Sequence, residues 1–222
     1  MPGGKGKPDR RAGGVRPPRR ALAVTRIADL RRRDHVLDVG CAEGLVSLEV
    51  AGLVERLVGL DINPARVQQA TDRAAERGIR NASFAVGAIQ EYPFDPRSWD
   101  VTLFMRVWGK SGGAGSGVVG PPEFERILEA TRRQAIVQAG KLRSEQGLMQ
   151  LFEICDEQGF DTAWFVSLNL LVANRRAAGA RIHALPERVF VRGRSGPALV
   201  PSRSVRDHPV IRSFDPNLPV AV

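Results

Sequence analysis

The run Val36-Leu37-Asp38-Val39-Gly40-Cys41-Ala42-Glu43-Gly44 constrains the fold of this chain more than any other stretch. A short apolar segment ends in Asp-x-Gly, a second glycine follows four residues later, and a helical pattern then covers residues 45–54. That order reads as a buried strand, a tight glycine turn and a helix start, the place where an α/β sheet binds a nucleotide-like ligand. Beyond the helix a second apolar run, Leu57-Val58-Gly59-Leu60, ends in Asp61. A carboxylate at the tip of a second strand can accept hydrogen bonds from both hydroxyls of a ribose.

The glycine spacing also excludes. A dinucleotide fingerprint has three glycines as G-x-G-x-x-G, which let the backbone close on a pyrophosphate at a helix N-terminus. Here the pattern is D-x-G-x-x-x-G, and no lysine follows to serve a phosphate loop. Asp38 places negative charge beside the turn, unfavourable to a pyrophosphate and favourable to an ammonium or sulfonium group. On these residues, 35–44 resembles motif I of the class I S-adenosylmethionine-dependent methyltransferases, and 58–61 resembles their second-strand acidic motif.

The resemblance continues along the chain. Asn63-Pro64 reads as a helix cap and first helical residue, Val67, Ala70 and Ala74 give one apolar face, and Gly78 stands where a C-terminal glycine belongs. Residues 82–87 read as the third strand, and 98–105 as a turn and fourth strand. Ala88-Ile89 occupies the place of an acid-hydrophobic pair beside the adenine, so Ala88 removes one hydrogen bond to the adenine amino group. Ala42 replaces a glycine common in motif I, which an alanine can do if its φ stays negative.

The resemblance implies an α/β fold: a doubly wound, seven-stranded, mostly parallel sheet of order 3-2-1-4-5-7-6 with the last strand antiparallel, in three α/β/α layers. It implies S-adenosylmethionine as cofactor and S-adenosylhomocysteine as product. Gly40, Cys41, Ala42 and Gly44 would approach the methionine part and Asp38 would orient its ammonium group. Asp61 would bind the ribose, Ile62 and Ile89 would flank the adenine beside Ala88, and Met105 would complete the set.

The second half of a sheet is legible from the residues. Pro121-Pro122 starts a helix with Phe124, Ile127, Leu128 and Ala130 inward. Residues 134–139 read as the fifth strand, and 145–158 as a helix whose buried stripe includes Leu148, Leu151, Ile154 and Cys155. The apolar runs 160–166 and 170–173 are joined by so short a link that two strands there must be antiparallel; a single buried helix is the alternative.

Charge sits on the flanks. Residues 1–33 hold eleven Lys/Arg against Asp9 and Asp29, whereas residues 34–177 hold fifteen basic and nineteen acidic groups. The basicity therefore does not imply a basic catalytic face. Residues 1–16, rich in Gly, Pro, Lys and Arg, read as a disordered basic arm, either able to bind RNA or DNA phosphates or merely solubilising. The domain is expected over 17–177, opening with a helix on Ala21, Val24, Ile27 and Leu30 whose C-terminal end Arg31-Arg32-Arg33 would complement. Residues 178–222 would form an extension on or near the core, with Val189-Phe190-Val191 strand-like and His183 and His208 at the surface.

No run has the length of a membrane span, no signal peptide is evident, and a cytoplasmic protein is expected. Two cysteines and three scattered histidines indicate neither a disulfide framework nor a metal site. Oligomeric state is not legible.

The acceptor is narrowed by what is missing. No Asn-Pro-Pro-Tyr or Asp-Pro-Pro-Tyr follows strand four, that region lacks a Pro-Cys nucleophile, and no Lys-Asp-Lys-Glu set is evident. Arg106, Trp108 and Lys110 stand where an acceptor should lie, next to the Gly/Ser-rich residues 109–120 as a lid. They could hold an anionic or aromatic molecule, or be strand-end packing and solvated charge. A small-molecule acceptor methylated at O or N is expected. The alternatives are an RNA methyltransferase using the basic arm and a cofactor-binding scaffold without turnover.

Overall fold

Side chains of the central strands alternate between two apolar clusters, and a different set of helices closes each face. In the computed structural model, the described residues are 19–105, 120–138, 145–165, 170–176, 178–179, 189–193 and 196–200. The elements are α1 (Arg19–Ile27), β1 (His35–Val39), α2 (Leu45–Ala51), β2 (Arg56–Asp61), α3 (Pro64–Glu76), β3 (Ala82–Val86) and β4 (Trp99–Met105). Then come α4 (Pro121–Ala130), β5 (Thr131–Gln138), α5 (Glu145–Glu157), β6 (Phe160–Phe165), β7 (Leu170–Arg175), β8 (Val189–Gly193) and β9 (Gly196–Val200).

The strands form one sheet of order β3-β2-β1-β4-β5-β7-β6-β8-β9. Strands β1 to β5 pair in parallel, and β7 runs antiparallel to both β5 and β6. The seven-stranded core thus has the expected order and the expected reversed strand. The runs at 160–166 and 170–173 are a strand pair, with Ala163 opposite Val172, and the single-helix alternative is excluded. Of residues 178–222, the described part adds β8, which pairs antiparallel with β6 through Trp164 and Phe190, and β9 beyond it.

Period-two alternation on β1 divides the core. Val36 faces a cluster with Val24 and Ile27 of α1, Val50 and Ala51 of α2, and Val101, Leu103 and Met105 of β4. Leu37 and Val39 face a second cluster with Phe104, Phe124 and Ile127 of β4 and α4, and Leu151, Phe152 and Cys155 of α5. Asp38 shares the face of Val36, so its carboxylate points into the layer that holds α2. Asn63 caps α3, accepting from Ala65 N at 3.0 Å and Arg66 N at 3.3 Å, and Gly78 past its end has φ 66°.

Three expectations need correction. The first helix ends at Ile27, so Arg31, Arg32 and Arg33 do not cap it; they lie in the loop entering β1. That loop is fixed by a buried network instead. Arg133 donates to Asp34 Oδ1 at 3.0 Å and to Asp29 O at 2.7 Å, and Asp29 N donates to Gln134 Oε1 at 2.9 Å. Helix α2 stops at Ala51, three residues early, and Asn81 satisfies freed carbonyls by donating to Ala51 O at 2.7 Å and Val54 O at 3.0 Å. Strand β5 begins at Thr131 rather than Gln134. Thr131 is buried against Thr102 (Oγ1 to Oγ1 2.8 Å), and Arg175 donates to both Leu128 O and Thr131 O, so helix α4 passes into β5 with no loop.

Residues 1–16 and the lid segment 109–119 lie outside the described residues, as do Arg106, Trp108, Lys110, His183 and His208. Among the described residues no helix is long and apolar enough to cross a membrane, and no group of three or more His, Cys, Asp or Glu could hold a metal ion.

Candidate functional site

The turn after β1 is strapped to the tip of β2. Gly40 N and Cys41 N both donate to Leu60 O, at 2.7 and 3.1 Å, and Gly44 N donates to Cys41 O at 2.9 Å. Asp61 Oδ2 accepts from Ala42 N at 2.9 Å, and Asp61 Oδ1 accepts from Asn63 N at 2.9 Å. Each oxygen of Asp61 therefore keeps lone-pair capacity for one further donor.

Gly40, Ala42 and Gly44 all have positive φ: 72°, 49° and 74°. The expectation that Ala42 keeps a negative φ is wrong. Its N–H has to point at Asp61, and the left-handed conformation that achieves this costs a non-glycine residue about 1 kcal/mol.

Glycine is also needed where backbones approach closely. A Cβ on Gly59, the β2 partner of Asp38, would lie 2.5 Å from the Phe84 ring and 2.9 Å from Cys41 Sγ. A Cβ on Gly44 would lie 2.9 Å from Ala70 Cβ and 3.2 Å from the same ring. Phe84 thus fills the space that two glycines leave, which seats the turn on α3. Cys41 is buried in that packing, and burial pushes its thiol up, away from reactivity.

Asp38 is 1% exposed, and Ser47, on the inward face of α2, is fully buried beside it. Ser47 Oγ donates to Asp38 Oδ2 at 2.5 Å, whereas Asp38 Oδ1 has no hydrogen-bond partner among the described residues. Burial pushes the Asp38 carboxyl up to about 7; the Ser47 hydrogen bond opposes this and the Asp61 charge adds to it. A buried acceptor with one free oxygen is suited to a cation that brings its own donors. These residues fit the ammonium and ribose groups of S-adenosylmethionine.

The remaining candidates divide. Ile62 is 37% exposed, just past the tip of β2, and Val86 at the tip of β3 is 55% exposed, so apolar surface is available there. Ile89, in contrast, is 4% exposed and belongs to the core with Leu37 and Val39; Met105 is likewise buried. Ala88 is half-buried, and its carbonyl accepts from Glu91 N and Tyr92 N, both at 3.1 Å. Arg126 of α4 holds this turn in place. It donates to Gln90 O at 2.9 Å, Tyr92 O at 3.0 Å and Ile89 O at 3.4 Å, with its guanidinium 5.6 Å from the Phe94 ring centroid.

Ser47, Gly59 and Arg126 were not anticipated from the sequence. A serine among the inward residues of an otherwise apolar helix was the one available signal for Ser47. Nothing local distinguishes Arg126 from the other arginines.

Comparison with known proteins gives the same picture. Residues 30–160 match a family model described as a methyltransferase domain. The chain is 30% identical over 78 residues to the uncharacterized methyltransferase YcgJ of Bacillus subtilis, covering 35% of this chain and 31% of that protein. The YcgJ structure superimposes with a TM-score of 0.52 at 16% identity, over 67% of this chain and 73% of that one. A 2-heptyl-1-hydroxyquinolin-4(1H)-one methyltransferase of Mycobacteroides abscessus is 42% identical over 73 residues, covering 31% of this chain and 32% of that protein. The uncharacterized RNA methyltransferase tlr0942 of Thermosynechococcus vestitus is 35% identical over 60 residues, covering 27% of this chain and 13% of that protein. The magnesium protoporphyrin IX methyltransferase of Synechocystis PCC 6803, solved with bound S-adenosylhomocysteine, has a TM-score of 0.52 at 18% identity, over 65% of this chain and 74% of that one. The alignments span about a third or less of these curated relatives' lengths. With the family model covering more than half of its length, and with the strand order of that fold, this chain belongs to the class I S-adenosylmethionine-dependent methyltransferases.

Proposed function

We propose that this chain transfers a methyl group from S-adenosylmethionine to an oxygen or nitrogen of a small-molecule acceptor. The observation that carries the cofactor reading is the buried Asp38 carboxylate, one oxygen held by Ser47 and the other without a protein donor, beside a turn strapped to Asp61. When bound, the sulfonium supplies an electrophilic methyl group that needs little acid–base help if the acceptor is already nucleophilic, so positioning supplies most of the rate. Asp38 would hold the ammonium group and Asp61 the ribose hydroxyls, each Asp61 oxygen using the capacity left after its backbone bond. Gly40 and Gly44 let the backbone come close. Ile62 would cover one side of the adenine, and Ile89, packed in the core, would support the floor beside Ala88. Arg106, Trp108 and Lys110 remain the candidates for holding the acceptor.

Support for a small acceptor comes from the relative named as a quinolone methyltransferase. The relative named as an RNA methyltransferase favours a second reading in which the acceptor is RNA and the basic arm assists. Calorimetric titration with S-adenosylmethionine and S-adenosylhomocysteine tests the cofactor site. Binding should be saturable and weakened on the order of a hundredfold or more by Asp61→Ala, since two hydrogen bonds to a charged acceptor are lost; unchanged affinity would refute the assignment. Labelled methyl groups offered to small-molecule extracts and to RNA then separate the acceptors. Transfer to RNA that is abolished by deleting residues 1–16 would favour the RNA enzyme, and binding with no transfer to anything would favour a scaffold.

A further inference from the structure

The two ends of the sheet carry opposite charge. At the carboxyl tips of β1, β2 and β3 and in the turns that follow, residues 38–44, 61–64 and 86–91 hold Asp38, Glu43, Asp61 and Glu91 and no Lys or Arg. At the other end every parallel strand is entered past an arginine. Arg33 stands two residues ahead of β1, Arg56 opens β2, Arg80 stands two ahead of β3, Arg97 two ahead of β4, and Arg132 is second in β5. In the spatial order β3-β2-β1-β4-β5 these positions make a row, about 19 Å across at about 4.8 Å per strand.

The carboxylates on this edge do not neutralise the row. Asp34 is buried and held by Arg133, Asp29 is paired with Arg31 at 2.6 Å, and Asp100 is paired with Arg132 at 2.7 Å. Glu55 lies 3.8 Å from His35. Arg32, Arg33, Arg56, Arg80 and Arg97 are exposed and have no ion pair among the described residues. Between the entries of β1, β2 and β3 the edge is hollowed by ≈ 530 Å³, lined by His35, Glu55, Arg56, Arg80, Asn81 and Ser83. Its floor is fixed, because Asn81 donates to Ala51 O and Val54 O and accepts from Leu57 N at 2.9 Å.

We propose that this strand-entry edge docks the phosphodiester backbone of a nucleic acid, with a phosphate seated in the hollow between Arg56 and Arg80. Guanidinium groups match phosphate oxygens with paired donors, and the row is long enough to follow several phosphates along a strand. No aromatic ring lines the hollow, so contacts are to the backbone and not to bases, and binding is sequence-independent. The surface lies at the opposite end of the strands from the Asp38–Asp61 turn, so it acts whether the methyl acceptor is small or RNA.

The test uses the full chain, a fluorescein-labelled 30-nucleotide RNA of mixed sequence and the DNA of the same sequence, with anisotropy read from 50 to 300 mM KCl. The double substitution Arg56→Ala/Arg80→Ala should weaken binding about tenfold at 100 mM salt and flatten the log–log salt slope by about 1.4, or about 0.7 per lost phosphate contact on a single strand. Thermal midpoint and S-adenosylmethionine affinity should not change, because both side chains are exposed and remote from the turn. Equal loss on RNA and DNA supports a backbone contact common to both, and loss on one alone supports the same surface with that polymer as its partner. An unaltered affinity and slope in the double variant, with loss on deleting residues 1–16, would assign binding to the arm and overturn the proposal. No binding to either polymer at 50 mM salt, or equally tight binding to polyglutamate, would also overturn it.

Discussion

Ser47 Oγ lies 2.5 Å from Asp38 Oδ2, and neither residue is more than 1% exposed. The bond runs from the second turn-facing position of α2 to the strand beneath it and leaves Asp38 Oδ1 as the free acceptor. Asp38 and Ser47 therefore act as one device, with the serine setting which oxygen is offered and how readily the carboxyl ionises.

The first prediction concerns pH. Because Asp38 titrates at about 7 in the folded chain, only the ionised fraction offers a full charge to an ammonium group. Affinity for S-adenosylmethionine should rise roughly eightfold from pH 6 to pH 7.5 and level off near pH 8, where an α-amino group begins to lose its own proton. Ser47→Ala removes a contact that favours ionisation, so the midpoint should move upward. Asp38→Asn should abolish the pH dependence together with most of the affinity. Titration calorimetry in the same buffer across this range reads all three.

The same shift affects stability without cofactor. The folded pKa is raised above the unfolded one, so the native state binds this proton more tightly. Its contribution is fully present below about pH 4 and is lost as pH rises through about 7, a change on the order of 4 kcal/mol. Thermal melts of Asp38→Asn should lack this loss, and the difference from the parent chain should grow between pH 5 and pH 8.

Ala42 holds φ 49° with its N–H committed to Asp61. Ala42→Gly relieves the left-handed strain and should stabilise the chain by about 1 kcal/mol in urea unfolding. Cofactor affinity should be retained. A destabilised glycine variant would show that the alanine methyl makes compensating contacts.

Gly59→Ala places a methyl group within 3 Å of both the Phe84 ring and Cys41 Sγ. Overpacking of this kind costs about 1–3 kcal/mol. Because Cys41 is in the strapped turn, weaker cofactor binding should accompany the loss, and trimming the ring with Gly59→Ala/Phe84→Leu should recover part of both.

Arg126→Met keeps the length of the side chain but removes its bonds to the carbonyls of Ile89, Gln90 and Tyr92. The turn beside the presumed adenine should loosen, raising KM for S-adenosylmethionine about tenfold with kcat little changed. Arg126→Lys should rescue part of the effect. A fall in kcat with KM unchanged would count against a positioning role.

What the sequence determined by itself is the part of the fold written in local chemistry. The strand, turn and helix of residues 36–51, the acid ending β2 and the Asn63-Pro64 start of α3 follow from short-range apolar periodicity and glycine placement. The β6–β7 reversal follows from a link too short for a crossover. Tertiary structure decided whatever depends on a distant partner. Thr131 and Arg133 look like loop residues and are buried strand because Thr102, Asp34 and Asp29 satisfy their polar groups. Arg31 is drawn to Asp29 rather than to a helix end, and Ala42 accepts a strained φ because Asp61, nineteen residues on, takes its N–H. Sequence spacing carries no record of such pairings: a buried polar group is tolerated only where a partner meets it in space, and that meeting is made by the packing of the whole sheet.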